Sequence, residues 1–260
     1  MDGYANVISG LPRAGKTNLL ERITERPEYK SAVIVSMDEV GKKLWGDRQS
    51  AREGSTDTEL TDTEKILRNE GTRWDMKVQL VLHNAGIVFA EMPILTRDYH
   101  QRPLVEMVSN AEWYIQGIEK DLAIRNSQPL PANPSRVYLN VVLLYASLDI
   151  VRERVKRAKR NLKSNSDAGH INVHLKAALQ FDFPDSYPYL LVDTTDESHA
   201  AEQQRVEEVL AFLKGDVSPQ ELTSIKSRRM PKAVEYLEEA RRQAAITGIV
   251  AYVPLQKSFK

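Results

Sequence analysis

Eight consecutive residues carry the strongest chemical signal in the chain. Gly10-Leu11-Pro12-Arg13-Ala14-Gly15-Lys16-Thr17 fit the spacing G-x-x-x-x-G-K-[ST]. That spacing has a mechanical reason. Glycine lets a backbone wrap an anion with its N–H groups turned inward, where a Cβ would intrude. A helix opening at Lys16 presents its positive end to the same anion. In that arrangement Lys16 spans the β- and γ-phosphate oxygens of a nucleotide and the Thr17 hydroxyl reaches Mg²⁺, with Asn18 next on the same turn.

Two acids and a run of cations complete the candidate chemistry. AVIVS (32–36) is followed by Met37-Asp38-Glu39, which puts a carboxylate just past a strand C-terminus. Ligands of open α/β sheets sit at that edge, so Asp38 could take the proton of an attacking hydroxyl; it equally suits a helix N-cap. GIVFAE (86–91) ends at the same edge in Glu91. Glu91 could hold Mg²⁺ or its waters, or be a buried acid paired with Lys16 or an arginine. SLDIVRERVKRAKRN (147–161) brings Arg152, Arg154, Lys156, Arg157, Lys159 and Arg160 together. Most of such a run is a solvated face, but arginine forks suit charge spreading over a transferred phosphoryl group.

The elements that must position these residues follow from periodicity. YANVIS (4–9), AVIVS (32–36), GIVFAE (86–91), VYLNVVLLYA (137–146) and YLLVD (189–193) are near-continuous apolar runs, as in strands covered on both faces. Helices are expected over 16–26, 62–85, 100–125, 148–163 and 199–214. Strand and helix in alternation imply βαβ units, a parallel sheet and an α/β fold. The polar segment 42–65 reads as a mobile insert over the acceptor side. NSQPLPANPSR (126–136) reads as an extended loop. The pattern changes beyond Gly215, so residues 1–215 are expected to form the main domain and 216–260 a mainly helical C-terminal extension. Ser218 is placed to cap a helix running to about Arg242 in that extension.

Bulk properties narrow the class. The 260 residues carry 36 basic and 36 acidic side chains, so no net field draws the protein to nucleic acid. The absence of cysteine removes disulfides, thiolate metal sites and cysteine nucleophiles. MDGYANVISG lacks the pattern of a secretory signal and no apolar run is long enough to cross a bilayer, so the expectation is a cytoplasmic globular protein.

As a set, GLPRAGKT, the strand ending SMDE, G-hhhh-E, SLDIVRERVKR and YLLVDTT resemble the P-loop kinases. Within them they are most similar to polynucleotide kinases, zeta toxins and chloramphenicol phosphotransferases. The resemblance covers about residues 4–214. It implies a five-stranded parallel sheet of order 2-3-1-4-5 with helices on both faces, and ATP with Mg²⁺ as phosphoryl donor. It also implies Asp38 as general base, and Arg154 and Arg157 as the arginines of the helix and lid after the fourth strand. EMPILT (91–96), with Arg97 and Arg102 beyond, takes the place of a D-A-T-N-L-T-like motif.

The acceptor implied is a hydroxyl on a small molecule or nucleotide. The alternatives are a 5′-hydroxyl polynucleotide kinase and an ATP-binding regulatory protein without transferase activity. Where polynucleotide kinases carry an arginine after the second strand this chain has Gly41, which weakens the nucleic-acid reading. DEVG (38–41) follows the wrong strand for a GTPase, and no guanine-reading motif follows the fourth strand. KSRRMPK (226–232) lacks interleaved aromatics and reads as a solvated helix end. His170 and His174 in HINVH lack a third ligand and fit a lid or surface role. His83 and His100 flank the third strand, where packing is the expected role. Trp45 and Trp74 could wall a substrate pocket, whereas Trp113 is expected to pack a helix against the sheet.

Overall fold

The computed structural model describes residues 2–45, 62–82, 86–92, 100–161, 167–185 and 187–250. Within its helices, the side chains of residues 38, 45, 62–66, 158–161 and 167–170 lie outside the description. Five strands, β1 (Gly3–Gly10), β2 (Val33–Ser36), β3 (Ile87–Glu91), β4 (Val137–Tyr145) and β5 (Tyr189–Asp193), form one parallel sheet of order β2-β3-β1-β4-β5. This is the expected order. The register sets Glu91 beside Ile8 on β1 and beside Ser36 on β2, while Gly10 lies beside Leu144 on β4. The C-terminal ends of the three central strands therefore converge on one short edge.

Both faces of the sheet are covered, which explains the unbroken apolar runs. Ala5, Val7, Val88, Val141, Leu143 and Leu191 point to one core and Ile8, Phe89, Val142, Leu144, Leu190 and Val192 to the other, alternating with the pleat. The first core is closed by α3 (Asp62–Leu82), α4 (Arg102–Arg125), α6 (Asp167–Gln180) and α8 (Pro219–Ile246). The second is closed by α1 (Lys16–Thr24), through Leu19, Leu20 and Ile23, and by α7 (His199–Lys214). The sheet-facing stripe of α4 is Leu104, Met107, Val108, Ala111 and Ile115, spaced three and four apart.

Several elements differ from expectation. α2 (Met37–Trp45) starts directly after β2, so residues 42–45, assigned to a polar insert, are helical; 46–61 lie outside the described residues. Asp38 is the second residue of α2 rather than the residue before it. HINVH belongs to α6, whose Leu175 and Ala178 are fully buried, so this segment is a core helix and not a surface lid. Trp113 is 70% exposed and packs on Tyr114, because it falls off the buried stripe of α4. α5 (Leu148–Asn161) matches its predicted span as far as Asn161.

α8 begins in a reciprocal capping box between Ser218 and Glu221 and buries Ala233, Leu237, Ala240 and Ala244 in the first core. The basic run 226–232 is mid-helix, not a solvated helix end. Arg229 donates to the Leu191 carbonyl at 2.7 Å and pairs with Glu208, Lys232 pairs with Asp193 at 2.8 Å, and Lys226 lies over the Tyr189 ring. Three of its four charges are used on α7 and β5. Among the described residues no helix is long and apolar enough to cross a membrane.

Candidate active site

The glycine-rich segment is shaped from both sides. At Gly10, φ is 147°, and a Cβ would lie 2.5 Å from the Leu144 carbonyl oxygen, so the neighbouring strand excludes any side chain there. Gly15, at φ 94° and ψ 19°, is the left-handed residue that turns the chain into α1. Between them the Ala14 amide closes a turn onto the Leu11 carbonyl at 3.1 Å. Three successive carbonyls of the loop are tied to distant side chains. Pro12 accepts from His174 Nδ1 at 2.7 Å, Arg13 from Arg154 Nη1 at 2.9 Å, and Ala14 from Thr194 Oγ1 at 2.8 Å. Peptides here are trans, so the N–H groups of Arg13 and Gly15 face away from these partners. A loop so held offers inward amides beside the N-terminus of α1, an arrangement able to receive a phosphate.

The charged groups stand around a cavity of about 630 Å³ lined by Arg13, Gly15, Lys16, Thr17, Asn18, Glu91, Arg154 and Arg157. Lys16 Nζ lies 3.3 Å from the Gly10 carbonyl and 3.2 Å from that of Leu11. The Thr17 hydroxyl donates to Glu91 Oε1 at 2.9 Å, joining the first turn of α1 to the last residue of β3. Eight of the sequence-selected residues thus share one cavity. Gly10, Leu11, Pro12 and Ala14 shape the loop behind it.

Arg154 and Arg157 stand one turn apart on α5 and differ in setting. Arg154 is 16% exposed and fully engaged: besides Arg13, it reaches Thr194 Oγ1 at 3.2 Å, the Thr194 carbonyl at 2.5 Å and Glu197 at 2.9 Å. Arg157 is 54% exposed and pairs with the other oxygen of Glu197. Burial alone would raise the Glu197 carboxyl, but its bonds to the two arginines hold it below the ordinary range. Arg205 of α7 lines the far end of the cavity and donates to the Asp196 carbonyl at 2.6 Å. Burial pushes the His174 imidazole below its usual value, opposed by the bond to Pro12 and reinforced by the Lys16 ammonium.

Other sequence-selected positions fall elsewhere. The side chains of Asp38, Trp45 and His170 lie outside the described residues, as do His83 and Arg97 entirely. His100 is half-buried, 3.1 Å from Asn69, and desolvation, with Arg73 nearby, brings it down to about 4. Trp74 is 63% exposed, with the Lys77 ammonium 4.0 Å from its ring. Thr194, Glu197 and Arg205 were not singled out from sequence. Only Thr194 had a signal, its place just past the fifth strand at the ligand edge.

Known structures share this architecture. The chain has a five-stranded parallel α/β fold similar to that of P-loop kinases. Mycobacterium tuberculosis APS kinase CysC, solved in complex with AMPPNP and APS, is 14% identical, with 82% of this chain and 98% of that one covered at a TM-score of 0.50. APE1195 is 16% identical, with 82% and 96% covered, also at 0.50. No protein-family model matches the chain, and no curated protein matches it in sequence.

Proposed function

We propose that this protein is an ATP-dependent kinase that transfers the γ-phosphoryl group to a hydroxyl of a small molecule or nucleotide. The observation that carries the reading is the 2.9 Å contact between Thr17 and Glu91, on the rim of the cavity that Lys16 also lines. A hydroxyl and a carboxylate are the hard oxygen donors Mg²⁺ prefers, and such sites are completed by substrate phosphates rather than by a protein cage. Thr17 and Glu91 would hold Mg²⁺, which when bound neutralises charge on the β- and γ-phosphate oxygens.

The remaining roles follow from the chain's own groups. The loop amides and Lys16 seat the triphosphate, exchanging the two carbonyl contacts of the ammonium for phosphate oxygens. The acceptor oxygen attacks the γ-phosphorus as the bond to the β–γ bridging oxygen breaks, and the acceptor proton passes to Asp38. Arg157 meets the charge on the transferred group, since its exposed side chain can leave Glu197 at little cost. Arg154, held by four contacts, keeps the loop in shape.

The test is a screen of γ-labelled ATP against nucleosides, sugars, aminoglycosides, chloramphenicol-like compounds and 5′-hydroxyl oligonucleotides. Label on a small hydroxyl compound is the expected result, and Asp38→Ala should lose it while keeping ATP binding. Label on oligonucleotides alone would replace the small-molecule acceptor with a polynucleotide. Free phosphate as the sole product throughout would refute the transferase reading. Transfer left intact in Asp38→Ala would remove Asp38 as the base.

A further inference from the structure

The Pro12 carbonyl is held by a different helix from the one that bears Arg154. His174 of α6 is 3% exposed, and its Nδ1 lies 2.7 Å from that oxygen. A carbonyl can only accept, so Nδ1 carries the proton and donates. α6 is itself fixed at its far end. Arg241 of α8 donates to the carbonyls of Ala178 at 3.1 Å and Phe181 at 2.8 Å, and Gln101, just ahead of α4, donates to the Asp182 carbonyl at 2.9 Å. Ala240 and Ala244 of α8 belong to the same buried cluster as Leu175 and Ala178 of α6. A rigid path of packed helix and hydrogen bonds runs from the C-terminal helix to the phosphate loop.

We propose that His174 is a positioning residue for nucleotide binding. It fixes the Pro12 carbonyl outward, which turns the Arg13 amide toward the phosphate site, and through α6 it makes the shape of the loop depend on the seating of α8. This rests on the nucleotide-binding reading above. The need is for a neutral donor at this point, not for imidazole chemistry. An unmet, half-buried carbonyl is costly enough that the loop would rotate to relieve it, and the amide would turn with it.

Two substitutions that share one branched four-atom skeleton separate the donor from the packing. His174→Asn keeps an N–H near the position of Nδ1, and His174→Leu removes it. Titration of the full-length chain with MgATP should show the Leu variant binding about tenfold more weakly, the effect of losing one buried hydrogen bond. The Asn variant should stay within about threefold of wild type on the same scale. Equal affinities for Asn and Leu would overturn the proposal, because a purely structural histidine would show no such split. Wild-type protein that binds no MgATP would instead overturn the nucleotide reading, and this inference with it. Should the Leu variant fail to fold, ¹⁵N shifts of the histidine side chains in wild type decide. A protonated Nδ1 at His174 supports the bond to Pro12, and a protonated Nε2 with bare Nδ1 refutes it.

Discussion

Thr194→Val tests whether the loop is held from outside. The substitution keeps shape and volume and removes one hydroxyl from a residue that is 5% exposed. That hydroxyl has a single proton, and its shortest acceptor is the Ala14 carbonyl at 2.8 Å. The Tyr145 carbonyl, 3.1 Å away, keeps its bond from the Thr194 amide at 2.9 Å, and Arg154 keeps Arg13. The net loss is therefore one buried carbonyl left without a donor and one of the four contacts of Arg154, together worth about 1–3 kcal/mol. For a chain of this size that is a fall of about 2–4 °C in Tm per kcal/mol. Urea titration gives the stability change, and ATP affinity should fall alongside it as the loop relaxes. Combined with Arg154→Met, the two losses should couple by about 0.5–3 kcal/mol, since both residues hold adjacent peptides of one loop. A stability loss under about 0.5 kcal/mol with unchanged ATP affinity would refute the external tethering.

Two further outcomes are expected. Arg157→Ala should lower kcat by about 100-fold or more while ATP affinity stays within about threefold, because the interaction is reserved for the transition state; equal losses in both would make it a ground-state contact. For His100, the folded value is about 4 against 6.5 for the free group. The unfolded chain binds the extra proton between those values, so this contribution to stability is present at pH 7 and is lost as pH falls through that window. The cost is about 2 kcal/mol between about pH 7 and pH 5. His100→Gln should flatten that part of the pH–stability curve, and parallel curves for variant and wild type would contradict the burial argument.

The parts legible in the sequence are those that local pattern encodes. Strands buried on both faces leave apolar runs such as VVLLY whichever way each residue points, and the phosphate loop is written in eight adjacent residues. The parts that were missed are pairings across the chain. His174 and Pro12 are 162 residues apart and Thr194 and Ala14 are 180 apart, and only the folded sheet order brings them together. α2 was hidden because Asp38-Glu39-Val40-Gly41-Lys42-Lys43 is polar and holds a glycine, although Val40 and Leu44 fall one turn apart. α6 carries a readable stripe in Ile171, Leu175 and Ala178, broken up in the sequence by Gly169, His170, Asn172 and His174. Trp113 misled because aromatic bulk suggests a core position, while the spacing of Ala111 and Ile115 already placed it outside.

The most direct measurement is a calorimetric titration of the full-length wild-type and Lys16→Ala proteins with ATP in the presence of Mg²⁺. One site of about micromolar affinity is expected for wild type, weakened at least about 100-fold by the substitution, since a charge-assisted contact to phosphate is lost. Heats indistinguishable from dilution in the wild type, or equal affinity in the two proteins, would contradict a triphosphate seated on this loop.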